Sequence, residues 1–274
     1  MESILYVGTD HGTVTARSQD GRAWNVESHT LKDWGIPELA PVPGEPNKVL
    51  AGTRGDGVWL SEDFGKSWLK PSRGKRGPGK VRCLTIAPDS SRRVFAGCEP
   101  IDMFISEDLG QNWLRVESVW DDPYIATIPY PGLVVEPHMR DIVIDPRHPD
   151  TIYAALQVGY MIKSTDGGET WKLINKGLDC DVHTIVLDPK DSEHVFIATG
   201  GGDSRREIAP GKALYASEDG GATWKGLAMN FNETYSVPFV LDPNLPGTIY
   251  SSVASGPGGE IGRASCRERV YVLV

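Results

Sequence analysis

The chain has 274 residues, 39% hydrophobic and 24% charged, a balance that suits a soluble globular fold and leaves room for a large core. Its formal net charge of -9 argues against a general binder of nucleic-acid backbone, which needs a basic surface. No apolar run approaches the roughly 20 residues that cross a bilayer.

The first segment, Leu5-Tyr-Val-Gly8, reads as a strand and follows the initiator almost at once. With no basic stretch and apolar core ahead of it, the chain as given is expected in the cytoplasm, or secreted if its N-terminus is incomplete. A worn turn follows, ending at Gly21 and Trp24. Counting back from these residues puts Arg17 and Gln19 where a hydroxyl and a carboxylate stand in four later copies of the same turn.

Those copies follow an eight-residue pattern, Ser/Thr-x-Asp-x-Gly-x-x-Trp. They are Ser61, Asp63, Gly65 and Trp68; Ser106, Asp108, Gly110 and Trp113; Ser164, Asp166, Gly168 and Trp171; and Ser217, Asp219, Gly221 and Trp224. The glycine supports a left-handed hairpin backbone. The hydroxyl and carboxylate can bond to turn groups that lack other partners. The tryptophan supplies a large apolar surface that pins the hairpin to its sheet. All four carboxylates therefore read as structural rather than catalytic.

Around the boxes the units repeat one order. A first strand is Arg82 to Ile86, Arg140 to Ile144, His183 to Leu187 or Val237 to Leu241, and a turn with proline follows it. A second strand is Val49 to Gly52, Val94 to Gly97, Ile152 to Ala155, Val195 to Ala198 or Ile249 to Ser252. A third enters each box, and the tryptophan opens a short fourth. Four short strands in about 45–55 residues is the period of a propeller blade. The expected fold is all-β, a β-propeller of four-stranded blades. About five and a half blades are present, cut from a six- or seven-bladed ring. Residues 1–259 form its single domain.

The boxes resemble the Asp-box, or BNR, repeat of sialidase-like and sortilin-like propellers, xyloglucan-active glycosidases and photosystem II assembly factors. The resemblance covers residues 4 to about 259. It implies that the boxes lie on the periphery, away from a central ligand site, and it selects no activity.

The last unit breaks at Gly256-Pro257-Gly258-Gly259, and residues 260–274 share nothing with the repeats. The run Ile261 to Val270 resembles a translated sequencing adapter. A chimeric ending is expected there, with the natural gene continuing through one or two more boxes; the alternative is a divergent last strand, Val270 to Val274.

Candidate functional residues sit at the starts of the first strands. Arg82, Arg140 and His183 share one register, and with His138, Asp141 and Asp181 they could ring an entrance and bind an anion or carboxylate. An insert, Val119 to Pro131, offers Trp120, Tyr124 and Tyr130 beside Asp121 and Asp122, a composition suited to sugar stacking and acid–base work. A second insert, Gly200 to Gly211, carries Asp203, Arg205, Arg206 and Glu207. The basic patch Arg73, Lys75, Arg76 and Lys80 reads as a solvated turn. The cysteines Cys83, Cys98, Cys180 and Cys266 lack metal or disulfide spacing. No metal and no cofactor is expected.

The preferred functional reading is a ligand-binding or protein-assembly module with a protein or carbohydrate ligand. The alternative is a glycoside hydrolase, for which Asp121 and Asp141 are weak catalytic candidates. Resemblance to sialidases would imply three arginines on the substrate carboxylate and an Arg-Ile-Pro signature near the start; no third arginine shares the register of Arg82 and Arg140 and the signature is missing, so sialidase chemistry is disfavoured. The ligand-binding set is then Arg82, His138, Arg140, His183 and Trp120.

Overall fold

The structure is a computed structural model. It describes all residues except 1, 73–76, 89–91, 129–135, 202–210, 228–233, 246, 255–268 and 274, and only the backbone of 269–273. Arg73, Lys75, Arg76, Tyr130, Cys266, the centre of the second insert and residues 261–268 lie outside the described residues.

The chain divides into two compact units, Met1–Glu117 and Ser118–Val274. The first unit holds three antiparallel sheets. Sheet one is Ser3–Thr9, Gly12–Ser18 and Asn25–Thr30; sheet two is Glu38–Pro41, Val49–Gly52 and Val58–Ser61. Sheet three is Val81–Ile86, Val94–Cys98, Met103–Ser106 and Leu114–Arg115. The second unit holds sheet four (Met139–Ile144, Ile152–Leu156, Met161–Ser164, Lys172–Ile174) and sheet five (Val182–Asp188, Asp191–Thr199, Leu214–Ser217, Lys225–Gly226). Sheet six is Tyr235–Leu241, Ile249–Ala254 and Arg269–Leu273.

The expected propeller is corrected by these sheets. The described strands form six open antiparallel sheets of three or four strands, and none is closed or curled into a ring. Each sheet is a simple up-and-down meander of consecutive strands, which local hairpin chemistry dictates. Ring closure is different, because it depends on how sheets are set against one another and repeat spacing does not encode that.

Within each unit, consecutive sheets share apolar faces. Leu50, Val58 and Leu60 of sheet two pack with Val81, Leu84, Val94 and Ala96 of sheet three. Tyr153 and Met161 of sheet four pack with Val182, Ile185, Val195 and Ile197 of sheet five. Leu214 of sheet five meets Phe239, Ile249 and Val253 of sheet six. At about 1.5–3 kcal/mol for each fully buried large apolar side chain, these faces are the main source of stability.

The boxes lock onto the same stacks. In the third box the Ser164 hydroxyl donates to Asp166 Oδ1 at 2.7 Å and accepts the Gly168 N–H at 2.9 Å. Asp166 also accepts the backbone N–H of Thr170 at 2.9 Å and the Thr170 hydroxyl. The same network recurs at Ser61, Ser106 and Ser217. The residue before each tryptophan, Ser67, Asn112, Thr170 or Thr223, therefore belongs to the box. Two consecutive residues in each turn have positive φ, such as Gly167 at 76° and Gly168 at 97°. In the first two boxes a non-glycine, Phe64 or Leu109, occupies the earlier position, at some conformational cost.

In the first and fourth boxes a turn carbonyl also fastens the preceding sheet. Gly65 O accepts the Thr30 hydroxyl at 2.9 Å, and Trp68 Nε1 donates to Thr30 Oγ1 at 2.8 Å. Gly220 O accepts Tyr153 OH at 2.9 Å and Lys163 Nζ at 2.7 Å. The worn copy is also corrected in register. Ser18 and Asp20, rather than Arg17 and Gln19, make the box bonds, with Gly21 N–H donating to Ser18 Oγ at 2.8 Å. That copy has lost one residue between carboxylate and glycine, so counting from Gly21 misplaced it.

The box carboxylates make the fold acid-sensitive. The Thr170 hydroxyl, the Thr170 N–H and the Ser164 hydroxyl pull Asp166 down to about 2, and the Thr223 and Ser217 groups do the same to Asp219. A carboxyl depressed in the folded state stabilises the fold above its unfolded value, near about 3.9, and loses that contribution as pH falls toward its folded value. Urea midpoints measured between pH 5 and 2 should therefore fall steeply below pH 4. The Asp166→Asn, Asp219→Asn double variant should be less stable at pH 7 and show a flatter acid limb.

Candidate functional site

The residues that share a register in sequence share a backbone irregularity in space. In sheet three the pairing steps from Val81↔Cys98 to Cys83↔Gly97, leaving Arg82 as an extra residue. In sheet four it steps from Met139↔Leu156 to Asp141↔Ala155 around Arg140, and in sheet five from Val182↔Thr199 to Thr184↔Ala198 around His183. Sheet six shifts between Ser236 and Phe239, around Val237 and Pro238. A bulge bends its strand and re-aims the side chain it carries, and bulges are enriched beside functional sites. Each of the first three is closed by a backbone bond from the end of the second strand: Glu99 N–H to Lys80 O, Gln157 N–H to His138 O, and Gly200 N–H to Asp181 O.

The environments differ between units. In the first unit Arg82 Nη1 lies 3.4 Å from Glu99 Oε2 and Lys80 Nζ lies 3.7 Å from Glu99 Oε1, so the arginine's charge is met locally. In the second unit His183, Asp181, Arg140 and Tyr235 form one cluster. His183 is buried, with Nδ1 2.6 Å from Ser236 O and Nε2 3.1 Å from Asp181 Oδ2. Both ring nitrogens face oxygen acceptors, which fixes the ring plane, and Tyr235 packs edge-on against it at 4.9 Å. Burial alone would raise the Asp181 carboxyl. The His183 hydrogen bond and charge, helped by Arg140, outweigh burial and hold it below the usual range. Arg140 and Asp181 act in opposite directions on Tyr235, whose hydroxyl burial pushes up.

Two further carboxylates stand close in sequence. Asp141 is partly buried and its Oδ2 accepts the Ile185 N–H at 2.8 Å, joining sheets four and five. Burial raises it to about 6 against the bonds to Ile185 and Ile142. Asp179 is buried, with Tyr215 OH donating to its Oδ2 at 3.2 Å, and burial raises it as well. Asp179 and Asp181 brace the described ends of the second insert. A methyl at Gly211 would lie 1.7 Å from Asp179 Oδ2, and one at Gly200 would lie 2.3 Å from Asp181 Oδ2. A side chain at either position would have to displace the aspartate it meets.

His138 is buried, with Nδ1 3.1 Å from Glu136 O. Trp120 ends a 3-10 turn, Glu117–Trp120, whose Val119 is fully buried. Asp121 is exposed, and Asp122 Oδ1 accepts the Tyr124 N–H at 2.9 Å. Tyr124 packs on Tyr160 with ring centroids 6.0 Å apart, and Ile125 and Ile128 are buried. The described part of the first insert is thus a packed cap with Asp121 at its surface.

Sequence reasoning named Arg140, Asp181 and His183 together, and in the second unit Asp181 bonds His183 and feels the charge of Arg140. It missed Asp179, Gln157 and Tyr235. The alternation Asp179-x-Asp181-x-His183 was a readable signal; the place of Gln157 opposite His138 emerges only from the strand pairing.

The BNR/Asp-box repeat family matches residues 162–173, the third box and its flanks. Comparison with curated proteins yields no match. Among solved structures, the GH74 xyloglucanase from Xanthomonas campestris matches with a TM-score of 0.70 at 18% identity, over 99% of this chain and 42% of that one. The GH74 enzyme of Niastella koreensis matches at 0.65 and 20% identity, over 92% of this chain and 39% of that one. An ancestral GH74 enzyme matches at 0.61 and 18% identity, over 91% and 33%. The chain spans less than half the length of these structures, and the likeness is one of fold. It overturns the ranking of a binding or assembly module first, because the matched folds belong to glycoside hydrolases. Among the described residues, no helix is long and apolar enough to cross a membrane.

The raised Asp141 carboxyl gives a stability signature opposite to that of the boxes. Because the folded state holds its proton more tightly than the unfolded chain, stability falls as pH rises from about 4 through 6. The shift corresponds to about 3 kcal/mol at neutral pH. Asp141→Asn should therefore raise the neutral-pH urea midpoint and flatten the pH 4–7 slope. An unchanged slope would show that Asp141 is not the group responsible.

Proposed function

We propose that this chain is a glycoside hydrolase acting on a polysaccharide of the xyloglucan type. The observation that carries the reading is the fold shared with the Xanthomonas campestris xyloglucanase across 99% of the chain. The second-unit cluster supplies suitable chemistry. Glycoside hydrolysis needs one carboxyl that keeps its proton and one that stays ionised, and divergent environments are how proteins assign those roles. Asp141, raised to about 6, suits the acid. Asp181, held low by His183 and Arg140, suits the base or nucleophile. His183 is a positioning residue for Asp181, and Arg140 bears on both carboxylates through its place beside one and its charge on the other. The Trp120–Asp121 turn offers an aromatic and an exposed carboxylate for contacts with the chain of sugars.

The test is release of reducing ends from xyloglucan, mixed-linkage glucan and aryl glycosides. Asp181→Asn and Asp141→Asn should each lower kcat by about 100-fold or more with unchanged circular dichroism. His183→Gln should lower kcat and shift the acidic limb of the pH profile. Absence of hydrolysis of every substrate by the wild-type chain would refute the proposal.

A further inference from the structure

Two buried polar atoms beside the Arg140 bulge have no hydrogen-bond partner among the described residues: Arg140 Nε and Gln157 Oε1. Gln157 is only 8% exposed. One atom is a donor and the other an acceptor. A buried polar group left unmade costs on the order of 1–3 kcal/mol, so two of opposite kind at one end of one sheet call for an explanation.

Strand pairing places them together. Met139 pairs with Leu156, so the next residues outward, His138 and Gln157, stand opposite one another, and the Gln157 N–H bonds His138 O at 2.9 Å. Side chains alternate along a strand, which puts Arg140 on the face shared by His138 and Gln157. The bulge at Arg140 then turns its side chain out of the regular ladder. The neighbouring groups are already engaged. Asp181 holds His183, and its Oδ1 lies 3.4 Å from the N–H of Val158, the residue after Gln157.

We propose that Arg140 Nε and Gln157 Oε1 form a subsite that recognises one saccharide hydroxyl. A hydroxyl both accepts and donates, so a single group accepts from the arginine N–H and donates to the glutamine carbonyl. An ionised carboxylate or phosphate oxygen satisfies only the arginine and would face the glutamine oxygen with like partial charge. The donor–acceptor pair therefore selects a neutral sugar hydroxyl over an anion. This inference rests on the glycoside hydrolase reading and adds to it the residues that hold the sugar.

The experiment is calorimetric titration of the full chain with xyloglucan heptasaccharide, with inorganic phosphate as a separate titrant. The variants are Gln157→Leu, which keeps volume and removes the acceptor, and Arg140→Lys, which keeps charge and removes Nε. Each should weaken saccharide binding at least tenfold. Gln157→Leu should leave Tm unchanged or raised, because an unpartnered buried carbonyl is gone; a merely structural role for Gln157 would lower Tm instead. If both groups hold the same hydroxyl, the double variant should lose less than the product of the single losses. Wild-type affinity in both single variants, fully multiplicative losses, or displacement of the saccharide by phosphate would each overturn the subsite. Hydrolysis with an unchanged KM in Gln157→Leu would overturn the subsite alone. A wild-type chain that neither binds nor cleaves any saccharide would overturn the enzyme reading as well.

Discussion

Within each unit, the contact on which the structure depends is the meeting of one sheet's apolar face with the next, fastened at the first and fourth boxes where a turn carbonyl receives hydrogen bonds from the preceding sheet. Thr30 and Trp68 at the second sheet, and Tyr153 and Lys163 at the fifth, show the two ways of making it. A three- or four-stranded sheet exposes too much apolar surface to be stable alone. Stacking removes that surface from water, and the box fixes where the hairpin sits on its neighbour. The serine, aspartate and glycine serve the turn's own backbone, while the carbonyl that results from that geometry serves the adjacent sheet.

A second consequence follows from the same order of strands. Because each sheet begins at equivalent points, an extra residue inserted near the start of the first strand appears at Arg82, Arg140 and His183 alike. The bulges present these side chains without disturbing the packed strands beyond them. What differs is the company each keeps. Glu99 meets Arg82 with charge, whereas His183 finds Asp181 and a backbone carbonyl, and Arg140 Nε has no hydrogen-bond partner among the described residues. The same backbone device thus yields an ion pair in one sheet and a hydrogen-bonded cluster in others.

The cluster holds carboxylates in contrasting states within a short span. Asp141 and Asp179 are raised by burial, and Asp181 is lowered by its hydrogen bond to His183 and by the Arg140 charge despite burial. Burial of Asp141 opposes folding near neutrality, while the box carboxylates support it. The fold therefore gains stability from carboxylates at its turns and loses some to a carboxylate at its candidate site, the distribution expected where chemistry competes with stability.

The sequence by itself determined the strands, their antiparallel order, the four intact boxes and the shared register of Arg82, Arg140 and His183. All of these rest on local chemistry: glycine at positive φ, hydroxyl and carboxylate bonds within a turn, and alternation of apolar residues. It did not determine the ring it suggested or the membership of Gln157 and Tyr235 in the cluster. Those were decided by tertiary structure, because sheet stacking, strand pairing across a bulge and the burial that moves a carboxyl's pKa all depend on residues far apart in the chain.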